Sequence, residues 1–233
     1  MIQFEGDNRV TMFKKARELA QHLENEFCAY ACVELFESDE IQRVWDLRKA
    51  GLGLLMGLGK ESRTPAFCED TAVRVKDLPA YVKDIETILD KHDTHCVFYA
   101  HASVGELHFR PMIDTTSIEG VTKMKQMAQE FAGTVRRYRG SLSGEHGDGR
   151  ARTPFIEEVL GADMTPLLER VKDIWDPDSR FNPGKIVRAE PMEKGLRYSP
   201  EYRPLAAPTV FKWRKVGGFT HALELCNGAG VCR

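Results

Sequence analysis

Apolar residues recur every three or four positions in several stretches of this 233-residue chain, which is the spacing of amphipathic helices. Asp77, with Pro79 in the first turn, is typical of a helix start, and Thr116 with Glu119 forms a capping-box pattern. Gly140 is expected to stop the helix that begins there. The pattern predicts helices near 9–25, 39–58, 77–89, 116–139 and 152–176.

Shorter segments have the composition or the two-residue alternation of strands. We predict strands at 2–6, 28–36 and 71–75, and a hairpin over 95–113. With a two-residue hairpin loop at Val104 and Gly105, His101 lies directly opposite His108, so that two imidazoles converge on one cation. Because Val suits the first position of such a turn badly, a longer loop with shifted pairing is the alternative.

The order of these elements predicts an α+β fold, with a ferredoxin-like antiparallel sheet covered by helices on one face and a small helical segment after it. This divides the chain into a first domain at 1–151, a helical segment at 152–187 and a tail at 188–233. The tail is rich in proline and poorly periodic, which indicates a linker.

The segment 140–150, Gly-Ser-Leu-Ser-Gly-Glu-His-Gly-Asp-Gly-Arg, is the strongest candidate for a functional loop. Closely spaced glycines let a backbone adopt positive φ values and approach a ligand, so a tight turn would aim Glu145, His146, Asp148 and Arg150. A solvated surface turn is the alternative. However, a turn needs only one or two glycines and does not require Glu beside His.

Composition narrows the possible classes of function. The 33 basic and 35 acidic residues are interspersed and give a net charge of −2, so there is no electrostatic argument for nucleic acid or an anionic membrane as a partner. No run of 18 apolar residues occurs and the first residues lack a signal-peptide pattern, so we expect a cytoplasmic protein without a transmembrane segment. We expect the first four of the six cysteines to be buried thiols in a reducing compartment.

Three motifs together resemble the C-terminal, substrate-binding part of the FAD-linked oxidases. These are the pair His101 and His108, the glycine-rich loop at 140–150, and the sequence Phe-Asn-Pro-Gly-Lys-Ile at 181–186. That group contains D-lactate dehydrogenase, D-2-hydroxyglutarate dehydrogenase and the flavin subunit of glycolate oxidase. Further short matches at 45–49 and 69–73 extend the resemblance over nearly all of 1–187.

The resemblance implies roles for particular residues. His101, His108 and Glu145 would bind a divalent ion, zinc or manganese, that touches the hydroxyl and carboxylate of the substrate. His146 would be the general base that takes the hydroxyl proton, and Arg48 would pair with the substrate carboxylate. Further candidates are Lys60 and Arg110 for the substrate, and Glu145, Arg150, Asn182 and Lys185 for the cofactor.

The sequence also departs from the better-known members of the group. They have Gly-Asp-Gly-Asn-Leu-His where this chain has Ser-Val-Gly-Glu-Leu-His at 103–108. Arg110 stands where several relatives carry Asn. The added positive charge suggests a more anionic substrate, or a site in which Arg110 takes over part of the work of the ion.

Both ends of the sequence indicate a piece of a longer protein. No glycine-rich pyrophosphate loop precedes residue 48, so FAD is expected on a domain outside this chain. Cys226 and Cys232 resemble the start of an iron-sulfur module, although Ala229 interrupts the usual spacing and two thiolates cannot hold a four-iron cluster. A flexible tail with two incidental thiols is the alternative.

These observations together predict part of an FAD-dependent oxidoreductase that oxidises a D-2-hydroxy acid similar to D-lactate, by hydride transfer to the flavin. Its partners would be the hydroxy acid, a flavin-binding domain and an iron-sulfur module that receives the electrons, with peripheral membrane association of the longer protein left open. The isolated piece is expected to be inactive. A metal-dependent hydrolase built on the same residues, and a catalytically silent domain that binds a partner through Phe211 and Trp213, remain as alternatives.

Overall fold

The computed structural model describes residues 1–56, 63–204, 207–226 and 230, and divides the chain into two compact units, 1–54 and 55–233. The first unit contains helix α1 (Arg9–Asn25) and all but the last two residues of helix α2 (Ser38–Met56). The Asn8 side chain caps α1 by accepting a hydrogen bond from the Thr11 N–H at 3.1 Å.

The strands predicted at 2–6 and 28–36 do not form, and both segments are irregular. Ile2 and Val33 are exposed, so their side chains have no sheet face to pack against within this unit. Because a strand is stable only when it pairs with another strand, the two apolar runs do not form a sheet by themselves.

A three-stranded antiparallel sheet forms the centre of the second unit, with the order β1-β3-β2. Its strands are β1 (Thr71–Ala72), β2 (Cys96–His101) and β3 (Glu106–Pro111). Every residue of the central strand β3 is buried. The predicted α+β class with an antiparallel sheet is confirmed, and the sheet has three strands among the residues described.

Alternate residues of β3 divide the sheet into an apolar face and a polar face, because successive side chains of a strand point to opposite sides. Leu107 and Phe109 pack against helices α3 (Leu78–Lys91) and α4 (Ile118–Arg137), and the Phe109 ring centroid lies 4.8 Å from that of Phe131. The helices therefore cover one face of the sheet, as predicted. The opposite face carries Glu106, His108 and Arg110, all of them buried.

The start and the end of α4 differ slightly from the prediction. Ser117, one residue after the predicted cap, accepts a hydrogen bond from the Gly120 N–H at 3.0 Å, while Thr116 instead binds the Asp114 carboxylate. The helix ends at Arg137, three residues before Gly140. Both differences are small, and the predicted apolar stripe of α4 does form its buried side.

The predicted helix at 152–176 is interrupted. It consists of α5 (Ile156–Leu160) and α6 (Met164–Trp175), separated at Gly161, whose φ of +97° is outside the helical range. The tail contains a further short helix, α7 (Phe219–Glu224). Glu224 of α7 binds the Tyr202 hydroxyl at 2.8 Å within the tail and the Arg63 guanidinium at 2.8 Å, so an ion pair joins the segment predicted as a linker to an earlier part of the second unit.

Candidate functional site

The register of the β2–β3 hairpin differs from the two-residue loop that we predicted. Residues 102–104 form a turn of 3₁₀ helix, Gly105 closes the loop with a φ of +77°, and His101 pairs with Glu106 instead of His108. Because the shift is by an even number of residues, both histidines remain on the same face. Their ring centroids lie 5.4 Å apart. Directly opposed histidines are therefore not observed, the alternative of a longer loop with shifted pairing is the one that forms, and the two rings still lie close together.

The glycine-rich loop lies close to the same face of the sheet. It begins with paired backbone hydrogen bonds between Ser141 and Ala72 at 2.8 and 3.0 Å. At Gly144, a Cβ atom would lie 2.7 Å from Oε1 of Glu106, so a residue with a side chain here would have to displace the carboxylate. The loop therefore approaches Glu106 closely because residue 144 is glycine.

Four side chains converge where the hairpin meets the loop. Nε2 of His108 is 3.6 Å from Oε1 of Glu145 and 3.8 Å from Oε1 of Glu106. Nε2 of His101 is 3.8 Å from Oε1 of Glu145. One donor atom from each of these four residues lies within 4.8 Å of the other three. Donors bound to one zinc ion at 2.0–2.1 Å are about 3.3 Å apart, so a small contraction would bring this set to a single divalent ion.

A buried oxygen atom without a hydrogen-bond partner supports the fit of these residues to a metal ion. Among the residues described, Oε1 of Glu106 is buried without a hydrogen-bond partner, and a buried carboxylate oxygen is stable only with a proton donor or a cation beside it. Burial lowers the pKa of His108, which favours the neutral form of the imidazole that binds metals.

The charged groups around these donors point the same way. Four carboxyl groups lie here with two guanidinium groups, and three of the carboxyl groups are buried, so a bound cation would offset an excess of negative charge. The carboxyl groups belong to Glu69, Asp70, Glu106 and Glu145, and the guanidinium groups to Arg110 and Arg152.

Asp70 and Glu106 form a carboxyl pair within this cluster. Their shared hydrogen bond, burial and the neighbouring carboxylates raise the pKa of Glu106 to about 7. Burial acts against ionisation of Asp70, but the hydrogen bonds that it accepts from Glu106, from the Ser143 hydroxyl and from the backbone of the loop lower its pKa below the usual range.

His146 lies beside a second group of carboxylates. Its Nδ1 is 3.3 Å from Oε1 of Glu69 and 3.8 Å from Oδ2 of Asp70, and its Nε2 is 3.4 Å from Oε1 of Glu145. Two carboxylates lie near Nδ1 and one near Nε2, so of the two neutral tautomers the one with the proton on Nδ1 has more hydrogen-bond acceptors beside it. Two overlapping donor sets, Glu69 with His108 and His146, and Asp70 with Glu145 and His146, are also compact enough for a metal ion.

Arg110 is part of the polar face, but its charge is already paired. Its guanidinium lies 3.1 Å from Oε1 of Glu69 and also donates to the Thr64 carbonyl oxygen at 3.4 Å. Both side chains of the pair with Glu69 are buried. The positive charge predicted to contact the substrate therefore neutralises a buried carboxylate in this structure.

Of the remaining predicted residues, Arg150, Asn182 and Lys185 are described in the second unit and are not among the donor groups of this cluster. Arg48 belongs to the first unit, where its guanidinium carbon lies 5.7 Å from the centroid of the Trp45 ring. Arg150 donates a hydrogen bond to the Lys194 carbonyl oxygen, and Asn182 and Lys185 are exposed in the segment after α6. Lys60 and Cys232 lie outside the residues that the structure describes.

Sequence reasoning missed the buried charges around the histidines. Glu69 and Asp70 form an acidic pair directly before a strand, where an apolar residue would be usual, and that pair was the available signal. Glu106 lies two residues before His108, on the same face of the same strand, so the alternation of β3 could have identified it. Arg152 gave no comparable signal, because a single arginine after a loop is common.

The sequence of the chain matches a family of flavin-linked oxidases. The family described as "FAD linked oxidases, C-terminal domain" matches residues 1–186, and the chain belongs to this family. The resemblance inferred from the motifs is therefore confirmed.

Individual relatives agree with this family. The chain is 32% identical over 243 residues to D-2-hydroxyglutarate dehydrogenase of Pseudomonas putida, an alignment that covers 100% of this chain and 23% of that protein. It is 23% identical over 187 residues to mitochondrial D-lactate dehydrogenase [cytochrome] of Arabidopsis thaliana, which covers 80% of this chain and 32% of that protein. Glycolate oxidase subunit GlcD of Bacillus subtilis is 28% identical over 151 residues, with 64% and 31% covered.

The chain thus spans 23% of the length of its Pseudomonas relative and about a third of the shorter ones. Within the part of the chain that the structure describes, no helix has the length and apolar content needed to cross a bilayer.

Proposed function

We propose that this chain supplies the metal site and the proton-accepting base of an FAD-dependent dehydrogenase that oxidises a D-2-hydroxy acid. The observation that carries the proposal is the convergence of His101, His108, Glu145 and His146 on one face of the sheet, in a chain of the FAD-linked oxidase family. The substrate class follows from relatives named as dehydrogenases of D-2-hydroxyglutarate and D-lactate. FAD would be held by a domain outside the 233 residues.

His101, His108 and Glu145 would hold the metal, with Glu106 as a fourth donor. When bound, a divalent ion lowers the pKa of a hydroxyl group that it contacts and orients the neighbouring carboxylate. His146 would accept the hydroxyl proton at Nε2 while C2 gives up a hydride to the flavin, so the substrate loses two hydrogens, one as a proton and one as a hydride that carries two electrons, and becomes a 2-oxo acid. Glu69 lies 3.3 Å from the opposite nitrogen, Nδ1, and would accept a hydrogen bond from its N–H.

The polar cluster also bears on recognition of the substrate. Because Arg110 is buried against Glu69, we propose that it sets the charge of the site instead of contacting the substrate. The substrate carboxylate would then meet the metal ion, with Arg48 and Lys60 as the predicted cationic partners. Arg150, Asn182 and Lys185 remain predicted cofactor contacts, and transfer of electrons to iron-sulfur clusters remains a proposal for the longer protein.

One experiment tests this function directly. The chain is produced alone and together with a flavin-binding domain from a longer relative, and oxidation of the D and L forms of lactate and 2-hydroxyglutarate is followed with a dye as electron acceptor. We expect activity on D acids in the combined protein and none in the chain alone. Zinc-dependent hydrolysis of esters or amides by the chain alone would instead indicate a metal hydrolase.

Helix α6 indicates where the flavin-binding domain would pack. Leu167, Val171, Ile174 and Trp175 lie along one side of α6 at helical spacing, and all four are more than half exposed. A monomer rarely exposes such a stripe without a partner. Since the chain is 23% of its Pseudomonas relative, we propose that the flavin-binding domain of the longer protein covers this side of α6.

Replacing Ile174 by Asp is expected to lower the affinity of the chain for the flavin-binding domain at least about tenfold, because burial of one Ile side chain contributes about 1.5–3 kcal/mol. Thr165→Asp adds the same charge on the other side of α6 and is the matched control. Binding is measured by biolayer interferometry with both purified partners. Equal affinities for the two variants would show that α6 does not form this interface.

A further inference from the structure

We infer that Asp70 is the positioning residue of this site: its carboxylate fixes the backbone of the glycine-rich loop so that Glu145 and His146 face His108. The consequence for chemistry rests on the proposed function. The positioning itself stands on contacts within the second unit.

Asp70 is 0% exposed and binds four consecutive residues of the loop. Its Oδ1 accepts the Glu145 N–H at 3.1 Å, and its Oδ2 accepts the His146 N–H at 2.9 Å. Oδ2 also accepts the Ser143 hydroxyl at 2.5 Å, and the Asp70 carbonyl oxygen accepts the Gly144 N–H at 2.7 Å. Such contacts determine where the Cα–Cβ bonds of Glu145 and His146 point.

Asp70 also connects this loop to the strand that carries His108. It directly precedes β1, in which Thr71 pairs with Leu107 of β3 and Ala72 pairs with Glu106. The distance from Asp70 to the polar face is therefore set by backbone hydrogen bonds of the sheet. Through Asp70, the position of Glu145 relative to His108 follows from the register of β1 on β3.

Asp70 has features that a residue with a purely local role would not require. Its φ of +74° lies in the left-handed region, which is unfavourable for a residue with a side chain and common for Asn and Asp only in turns. Its charge is buried and lies 3.4 Å from Nη2 of Arg152, which is also buried. A strained backbone and a buried ion pair both cost folding free energy, so their presence at Asp70 supports a role of this residue in positioning the loop.

Only a carboxylate satisfies this arrangement. Both of its oxygens accept hydrogen bonds, one from each of two successive N–H groups. An amide has the same shape but offers a single oxygen, so in Asp70→Asn an NH₂ group would oppose either the Glu145 or the His146 N–H. The variant thus disturbs the anchor without creating a cavity.

The test compares Asp70→Asn with Tyr81→Phe in the full 233-residue chain. The Tyr81 hydroxyl donates to Oγ1 of Thr71 at 2.7 Å, so Tyr81→Phe also removes a buried hydrogen bond beside Asp70, but on the helix-covered side of the sheet. Amide hydrogen exchange at Glu145 and His146 is measured by NMR, and Zn²⁺ affinity by calorimetric titration. Thermal unfolding shows how much stability each variant loses.

We expect Asp70→Asn to speed exchange at both amides at least about tenfold and to weaken Zn²⁺ binding about 10- to 100-fold, the range found for groups that orient metal ligands. Tyr81→Phe should leave both quantities near the values of the unmodified chain. Unchanged exchange in Asp70→Asn, or faster exchange with unchanged Zn²⁺ affinity, would overturn the inference.

Two further results separate this inference from the proposed function. If the unmodified chain binds no Zn²⁺, the metal site fails, and exchange at Glu145 and His146 alone decides whether Asp70 is the anchor. If Asp70→Asn does not fold, Ser143→Ala replaces it, because that variant removes one partner of the carboxylate. A several-fold rise in exchange at the same two amides would support the anchor, and no change would overturn it.

Discussion

Replacing His146 by Gln is expected to lower kcat for the D-2-hydroxy acid by about 100- to 10,000-fold in a protein that combines this chain with its flavin-binding domain. The imidazole is 43% exposed, so substrate can reach it, and its Nδ1 lies 3.3 Å from the buried Glu69 carboxylate. Gln has a similar length but no group that accepts a proton near neutral pH. The hydroxyl would then lose its proton to water, which is poorly placed.

This prediction is checked by steady-state kinetics together with Zn²⁺ titration of the same variant. We expect Zn²⁺ affinity to change little, because His101, His108, Glu106 and Glu145 form a complete donor set without His146. His95→Gln, at the exposed start of the hairpin, is the control for loss of an imidazole. A large loss of Zn²⁺ affinity in His146→Gln would show that this histidine is a metal ligand instead of the base.

Replacing His108 by Ala is expected to weaken Zn²⁺ binding by more than about 100-fold, which exceeds the effect typical of groups that only orient ligands. His108 is 1% exposed, and its Nε2 lies within 3.8 Å of both Glu106 and Glu145. Without the imidazole, these two carboxyl groups lose the nitrogen donor that lies between them. His101 alone then remains as a nitrogen ligand in the set.

The metal content of the purified chain, measured by elemental mass spectrometry, is the first readout. About one equivalent of zinc or manganese in the unmodified chain and none in His108→Ala is the expected result. His95→Ala should retain the metal, since this residue contributes a backbone carbonyl to the hairpin and its side chain is exposed. A bound metal that persists in His108→Ala would contradict the assigned ligand set.

Helices α3 and α4 were predictable because each carries its own signal in the sequence. Apolar residues at helical spacing form the buried sides of both, and these sides cover one face of the sheet. The strands predicted at 2–6 and 28–36 failed because a strand needs a partner, and a local pattern does not show whether one is available. The interruption at Gly161 was missed because the apolar spacing continues across it.

The structure of the hairpin depends partly on the sequence pattern and partly on tertiary contacts. The alternation of side chains along the strands places His101 and His108 on one face for every loop that shifts the strand pairing by an even number of residues. The actual loop depends on a contact with another element, because a Cβ atom at Gly105 would lie 1.9 Å from the Val73 carbonyl oxygen. The backbone just after β1 therefore constrains the turn, whereas the hairpin sequence alone indicated only that Val104 suits a two-residue loop badly.

The sequence by itself determined the α+β class, the family, and the residues on which the proposed chemistry depends: the two hairpin histidines and the adjacent Glu145 and His146. Only the tertiary structure decided that Glu69, Asp70 and Glu106 surround them as buried charges. The physical reason is that motifs are read along the chain, whereas burial and electrostatic balance depend on segments more than 30 residues apart, such as Asp70 and His146. Their effect on one another exists only after the sheet and loop have packed.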